Sequence, residues 1–243
     1  MKTRIAIVDT RMPDAYQRRL MMHGWQVIAL PPCPRLGDAI ASHPDMLIAS
    51  VGGEMVTSAD YCEVAGCAIS EIYDNLHVKF HFTSDIHGKD YPADVLFNSL
   101  TLGDKLYGRL DSLSPYLLKL ARDKGLTPVN VRQGYPACTV LKLSENAVIT
   151  ADEGAARVLR ADGVRVYVIE RGGVSLPPYE YGFIGGAAGR FGSTVYFIGN
   201  PATHPSWNEI KSALDKEGLS FVALGDGPLL DLGGIIFAEG DVN

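Results

Sequence analysis

Short apolar runs alternate with polar, glycine-bearing breaks along the whole chain, and they recur at a regular interval. The segments HPDMLIASVGGEMVTSAD from residue 43, YPADVLFNSLTLGDKLYGRL from 91, YPACTVLKLSENAVITAD from 135 and YGFIGGAAGRFGSTVYFIGN from 181 begin 48, 44 and 46 residues apart. In each, a short apolar strand meets a Gly, Asn or Asp turn and then a second apolar strand, which predicts a hairpin. A helical stretch and a third strand follow. DEGAARVLRADG carries Ala156, Val158 and Leu159 on a helical spacing before a glycine stop, and VRVYVIE then alternates as a strand. SPYLLKLARDKG starts with Ser114 as cap and Pro115 at the first helical position. HPSWNEIKSALDKEG offers Ser206 as cap, Glu209 three residues on and Gly218 as stop. PDAYQRRLMMHG before WQVIAL is another such pair.

The unit is therefore strand-strand-helix-strand. It is present in full three times, with a looser copy around YCEVAGCAISEIYDN. The first segment lacks its leading hairpin strand, and the tail PLLDLGGIIFAEG supplies a leading strand without a helix. Joining tail to head completes a fifth unit. The pattern predicts one α/β domain over 1–243, a five-bladed pseudo-symmetric α/β propeller of ββαβ repeats closed by N- and C-terminal strands. Closure of that kind leaves no open sheet edge. The competing reading is an open α/β sheet with accidental spacing, and the complementary ends weigh against it.

Composition narrows the partners. With 47% hydrophobic and 21% charged residues the chain can bury a core and is unlike a disordered sequence. A net charge of −6 with no Lys/Arg run argues against duplex nucleic acid. No apolar run approaches the ~20 residues of a membrane helix, and MKTRIAIVDT reads as a strand ending in Asp9 rather than a signal peptide. The expectation is a cytoplasmic protein with no membrane or nucleic-acid partner, a small cationic metabolite as ligand, and homo-oligomerisation left open. Cys33, Cys62, Cys67 and Cys138 form no C-x-x-C pair, so structural disulfides are not expected. Cys62 and Cys67 lack a second ligand pair and read as helix-core residues, and no metal or other cofactor is expected.

The motifs YPADVLFN, NVRQGYPAC, ITADEGAA, YGFIGGAAGRFG and GDGPLLDLGGII resemble a bacterial domain-of-unknown-function family of the pentein fold, over nearly the whole chain from His43 onward. Penteins are the five-bladed propellers of guanidino-group-modifying enzymes such as arginine deiminase, dimethylargininase, amidinotransferases and agmatine deiminase. The resemblance implies a ligand at one mouth of a central channel, a cysteine in the last hairpin attacking the guanidinium carbon, a histidine shuttling protons and acidic residues holding the cation. Here the last hairpin reads LLDLGGIIFAEG, and no cysteine follows Cys138.

If each first strand begins at the channel mouth, His43, Asp45, Asp94, Cys138, Tyr181 and Asp231 converge there, with Tyr135 beside them. Crowded carboxylates raise one another's pKa unless a cation or proton lies between them. Asp45, Asp94 and Asp231 are thus candidate cation ligands, or else turn formers. Asn98 and Gln133 either add neutral hydrogen bonds in the channel or satisfy backbone. His43 is the candidate base, oriented by Asp45, or a turn residue before proline. Cys138 is a candidate nucleophile, although neighbouring acids hinder a thiolate, or a small core residue. His77 and His81 flank Lys79 on one expected strand face, which reads as solvated rather than metal-binding. The glycines of GFIGGAAGRFG fit no phosphate loop and predict close backbone packing or ligand approach. Asp152 and Glu153 fit a helix N-terminus. Three functions are compatible with these residues: binding, and possible modification, of a guanidino or amino-acid-type cation; a hydrolase of amidine C–N bonds using Cys138 and His43; and a non-catalytic scaffold.

Overall fold

The computed structural model describes residues 2–241. The alternation seen in the sequence becomes a set of like sheets. Ala49–Val51, Glu54–Ser58 and Phe80–Thr83 form one, and Leu100–Leu102, Lys105–Gly108 and Thr127–Asn130 the next. Val140–Ser144, Ala147–Thr150 and Arg165–Val168 form the third, and Ala188–Phe191, Thr194–Phe197 and Ser220–Ala223 the fourth. In each, the central strand is antiparallel to the first and parallel to the third. A parallel neighbour requires a crossover, and a helix supplies it every time: Ala59–Leu76, Pro115–Asp123, Glu153–Ala161 and Trp207–Lys216. The chain is an α/β protein, as its pattern predicts.

The ends of the described chain build a fifth sheet on the same plan. Ile236–Asp241 pairs antiparallel with Lys2–Asp9, which pairs in parallel with Gln26–Leu30 across the helix Asp14–Met22. Strand period two sends Ile5 and Ile7 into a core with Met46, Leu47, Tyr61 and Cys138. Ala6 and Val8 face the other way, into a core with Trp25, Tyr196 and Leu232. Asp9 closes this strand fully buried.

Two helix-start expectations hold. Ser114 Oγ accepts from Leu117 N–H, and Asp152 Oδ1 accepts from Ala155 N–H, as caps. The four cysteines are free. No helix among the described residues is long and apolar enough to cross a membrane.

Others are corrected. The looser copy contains the longest of these helices, Ala59–Leu76, capped by Ser58. Its amphipathic face buries Tyr61, Ala65, Ile69 and Ile72, whereas Cys67 is exposed and so is not a core residue. Ser206 does not cap its helix with its side chain, because Oγ accepts from Glu170 N–H instead. His77 is not on a strand. It ends the helix at φ 51°, in the left-handed region, while His81 lies in Phe80–Thr83 and pairs with Glu54 at 2.5 Å.

The most consequential correction concerns the start of all four repeats, where the expected first strand begins later: residues 91–99 and 181–187 are turns and irregular chain before Leu100–Leu102 and Ala188–Phe191. Pro44–Leu47 and Pro136–Thr139 are one-turn helices that precede their first strands. Proline at the first helical position needs no donor and already has the helical φ.

GFIGGAAG serves close packing rather than an anion. Gly186 N–H donates to Cys138 O at 2.9 Å, and Gly186 O accepts from Leu232 and Gly234 N–H. A Cβ at Gly185 would stand 2.5 Å from Ala137 O and 2.6 Å from Cys138 O and Val140 O. These are backbone atoms, so no side chain can swing away. Gly185→Ala is expected to cost about 3 kcal/mol or more and to lower the Tm by about 6–12 °C, measured by thermal unfolding. A loss under about 1 kcal/mol would show that the three carbonyls yield.

Candidate functional site

The two one-turn helices bring their polar residues together. His43 stands immediately before Pro44–Leu47, Asp45 lies in it, and Cys138 lies in Pro136–Thr139. An imidazole nitrogen, a carboxylate oxygen and Sγ from these three residues lie within 4.8 Å of one another. Cys138 Sγ donates to Asp45 Oδ2 at 2.7 Å and accepts from Asn98 Nδ2 at 3.2 Å. Asn98 Oδ1 in turn accepts from Ala137 N–H at 2.9 Å, which pins the turn carrying the thiol.

His43 is 0% exposed, and neither ring nitrogen has a hydrogen-bond partner. Its Nε2 faces Asp9 Oδ2 and its Nδ1 faces Asp231 Oδ1, each at 3.9 Å. Asp9 is already held by Arg11, whose Nη2 is 2.5 Å from Oδ2. Asp231 is held by backbone, Oδ2 accepting from Phe183 N–H at 2.8 Å and Oδ1 from Gly233 N–H at 3.2 Å. The Oδ1 of Asp45 is buried and unpaired as well.

Burial dominates the electrostatics. It pushes the His43 imidazole down to about 3, helped by the Arg11 charge. It raises Asp231 to about 6 against the pull of its backbone donors. It raises Asp45 well above the usual carboxylate range, with the Cys138 hydrogen bond opposing. The Cys138 thiol is raised too, first by burial and then by the charges of Asp45 and Asp231. Near neutral pH the site therefore presents a neutral imidazole and a protonated thiol beside carboxylates short of cations.

A cavity of about 330 Å³ opens above this cluster, with His43, Cys138 and Asp231 on its floor and Tyr135, Tyr179, Tyr181 and Phe183 among its walls. Asp45 lines a different cavity, of about 300 Å³, together with Gly185, Arg190 and Gly233. The cluster is thus the wall between two hollows.

The structure brings together His43, Asp45, Cys138, Asn98 and Asp231, with Tyr135 and Tyr181 on the cavity wall. Asp94 stands one layer back: it is buried, and its Oδ2 accepts from Tyr135 Oη at 2.6 Å. Gln133 is not in this cavity. Its Oε1 accepts from Tyr135 N–H, and it lines a neighbouring hollow of about 210 Å³. Asp45 does not orient His43, because the Cys138 thiol occupies its Oδ2. The carboxylates facing the imidazole are Asp9 and Asp231. Sequence reasoning missed Asp9 as a site residue, although a charge closing the apolar strand RIAIVD was a visible signal. It also missed Tyr179 and Phe183, whose clustering in PPYEYGF was the corresponding clue.

Comparisons with known proteins agree with this architecture. A family model, "Family of unknown function (DUF6873)", matches residues 7–236. No curated protein matches the sequence. Among solved structures, DDAH from Pseudomonas aeruginosa complexed with citrulline is similar at TM-score 0.55 and 14% identity, over 93% of this chain and 91% of that one. An amidinotransferase from Microseira wollei in the saxitoxin biosynthetic pathway matches at 0.52 and 10%, over 87% and 73%. C. jejuni agmatine deiminase matches at 0.52 and 8%, over 93% and 91%. At these identities the likeness shows the fold, which is that of the penteins.

The raised pKa of Asp231 carries a sign that can be measured. A carboxyl easier to protonate in the folded than in the unfolded chain contributes stability that is complete below 3.8 and is lost as pH rises through about 6. Asp231→Asn removes that dependence. The stability of the variant relative to wild type is expected to improve by up to about 3 kcal/mol between about pH 4 and pH 8, measured by denaturant unfolding at each pH. A difference independent of pH would contradict the raised pKa.

Proposed function

The chain belongs to DUF6873, a family of unknown function, and we propose that it binds a small organic cation of guanidino or amine type in the cavity above His43 and Cys138. One observation carries the reading. The buried carboxylate of Asp231, which has only the neutral His43 and no protein cation at salt-bridge distance, lies under a cavity walled by four aromatic rings. Aromatic faces attract cations, most strongly where water is excluded. A cation seated against Asp231 also relieves the cost that burial imposes on that carboxylate. The guanidino- and ureido-type chemistry named for the similar structures, citrulline and agmatine, supports the same ligand class. In this reading the five like sheets are blades of a five-bladed wheel, completed where Ile236–Asp241 pairs with Lys2–Asp9, and the cavity is one mouth of its axis.

The approach of Cys138 and His43 favours a second reading, a hydrolase of amidine C–N bonds. The thiol proton already lies on a hydrogen bond to Asp45 Oδ2, whose hold on a proton burial strengthens, and an arriving guanidinium offsets the carboxylate charges that hold the thiol protonated. Sulfur then attacks the guanidinium carbon, the C–N bond breaks, and the amine leaves with the proton that Asp45 took from the thiol, His43 standing beside the reacting carbon. Water hydrolyses the remaining thioester-like adduct and frees the thiol.

The binding test is a thermal-shift series with arginine, agmatine, methylarginines and polyamines. A matching cation at about 100 times its Kd is expected to stabilise by about 2.7 kcal/mol, a Tm rise of about 5–10 °C. The rise should shrink in Asp231→Asn and in Tyr179→Ala, whose ring is exposed at the rim and not part of the core. No shift with any of these cations would overturn the proposal. For the hydrolase reading, intact-mass analysis during incubation with the stabilising cation should show an adduct in wild type and none in Cys138→Ser. Absence of both adduct and released amine would leave binding alone.

A further inference from the structure

The same cluster, without any organic ligand, has the composition of a transition-metal site, and we infer that His43, Asp45 and Cys138 bind a borderline-soft divalent ion such as Zn²⁺. The donor set is a thiolate, a carboxylate and an imidazole, with ligand atoms already within 4.8 Å. Two ligand bonds of about 2.0–2.3 Å each reach across most of that span. A single such residue would mean little. The independent indication is His43, 0% exposed, with neither ring nitrogen hydrogen-bonded and one of them within 4.8 Å of the Asp45 and Cys138 ligand atoms. A buried polar group left without a partner costs free energy that a ligated ion removes. Asp45 Oδ1 is a second such atom.

Charge and outer contacts fit as well. One thiolate and one carboxylate neutralise a divalent ion while the imidazole stays neutral. Binding releases the proton between Cys138 Sγ and Asp45 Oδ2 to solvent, and the ion takes its place. The outer contacts are present whichever imidazole nitrogen ligates, since the other then faces Asp9 or Asp231. Metal-bound histidines commonly have a carboxylate in that position. Asn98 steadies the sulfur. Three protein ligands leave a fourth position open to solvent or substrate, and His43 and Cys138 border the aromatic-walled cavity while Asp45 borders the other hollow. The sulfur ligand selects Zn²⁺ or Co²⁺ over Mg²⁺ or Ca²⁺.

This inference goes beyond the organic-cation reading and does not depend on it. A metal-held thiolate is not free to attack carbon, so the ion and the hydrolase reading exclude each other.

The test is titration of the metal-stripped full chain with Co²⁺ and with Zn²⁺. One equivalent of Co²⁺ should produce a thiolate-to-cobalt charge-transfer band, Zn²⁺ should displace it, and Mg²⁺ should not. Affinity should fall by more than about 100-fold in Cys138→Ser and in His43→Gln, since loss of outer-sphere partners alone costs up to that much. Far-ultraviolet circular dichroism checks that the variants fold. Tyr179→Ala should show the opposite pattern, keeping the metal and weakening the organic cation. A wild-type chain without the band, a band unchanged in Cys138→Ser with its other three thiols intact, or equal displacement by Mg²⁺ would each overturn the inference.

Discussion

The pairing of Ile236–Asp241 with Lys2–Asp9 is the constraint on which the site depends. Ile7 stands opposite Ile236, so the end of the first strand and the approach to the last are fixed in one sheet. Asp9 terminates one of these segments and Asp231 precedes the other, and His43 lies between their carboxylates. Neither end could hold this arrangement alone. The strands are joined by an antiparallel ladder in which Ile5, Ala6, Ile7 and Val8 are buried on both faces against partly buried Ile236, Phe237 and Ala238, which couples register to core packing. A slip of one residue would turn Ile5 and Ile7 out of their core and displace Asp9 from the imidazole.

Around that frame, backbone approaches backbone. The Gly185–Gly186 pair lies against the carbonyls of the turn carrying Cys138, while Gly186 also bonds the segment after Asp231. The thiol and the carboxylate are therefore positioned by main chain on rigid elements, with Asn98 as the side-chain brace. Both the organic-cation reading and the metal reading begin from the same imbalance, negative groups buried without enough positive partners, and they differ in the depth at which the positive charge enters.

Much of the architecture was legible in the sequence because periodicity survives averaging over a unit. The recurrence of hairpins near 43, 91, 135 and 181, the caps Ser114 and Asp152, and the complementarity of head and tail all follow from local pattern. The site was legible only in part. HPDM and YPAC read as strand starts because a single helical turn is too short to display its own period, and the proline that announces it also suits a strand edge. The partnership of Asp45 with Cys138 spans 93 residues of sequence, and no local pattern encodes such a pairing. Proximity in sequence suggested that Asp45 orients His43, whereas the turn directs it to the thiol instead. Gln133 likewise satisfies a backbone donor two residues away, the commonest use of an amide in a tight loop.

The thiol and carboxylate in the wall between the two hollows touch both of them at once. Asp45 borders one chamber, and His43, Cys138 and Asp231 border the other, yet a single proton joins the aspartate to the thiol. An occupant that draws this proton toward one side changes the charge felt on the opposite side. Two such occupants would, by thermodynamic reciprocity, alter each other's affinity by one common factor.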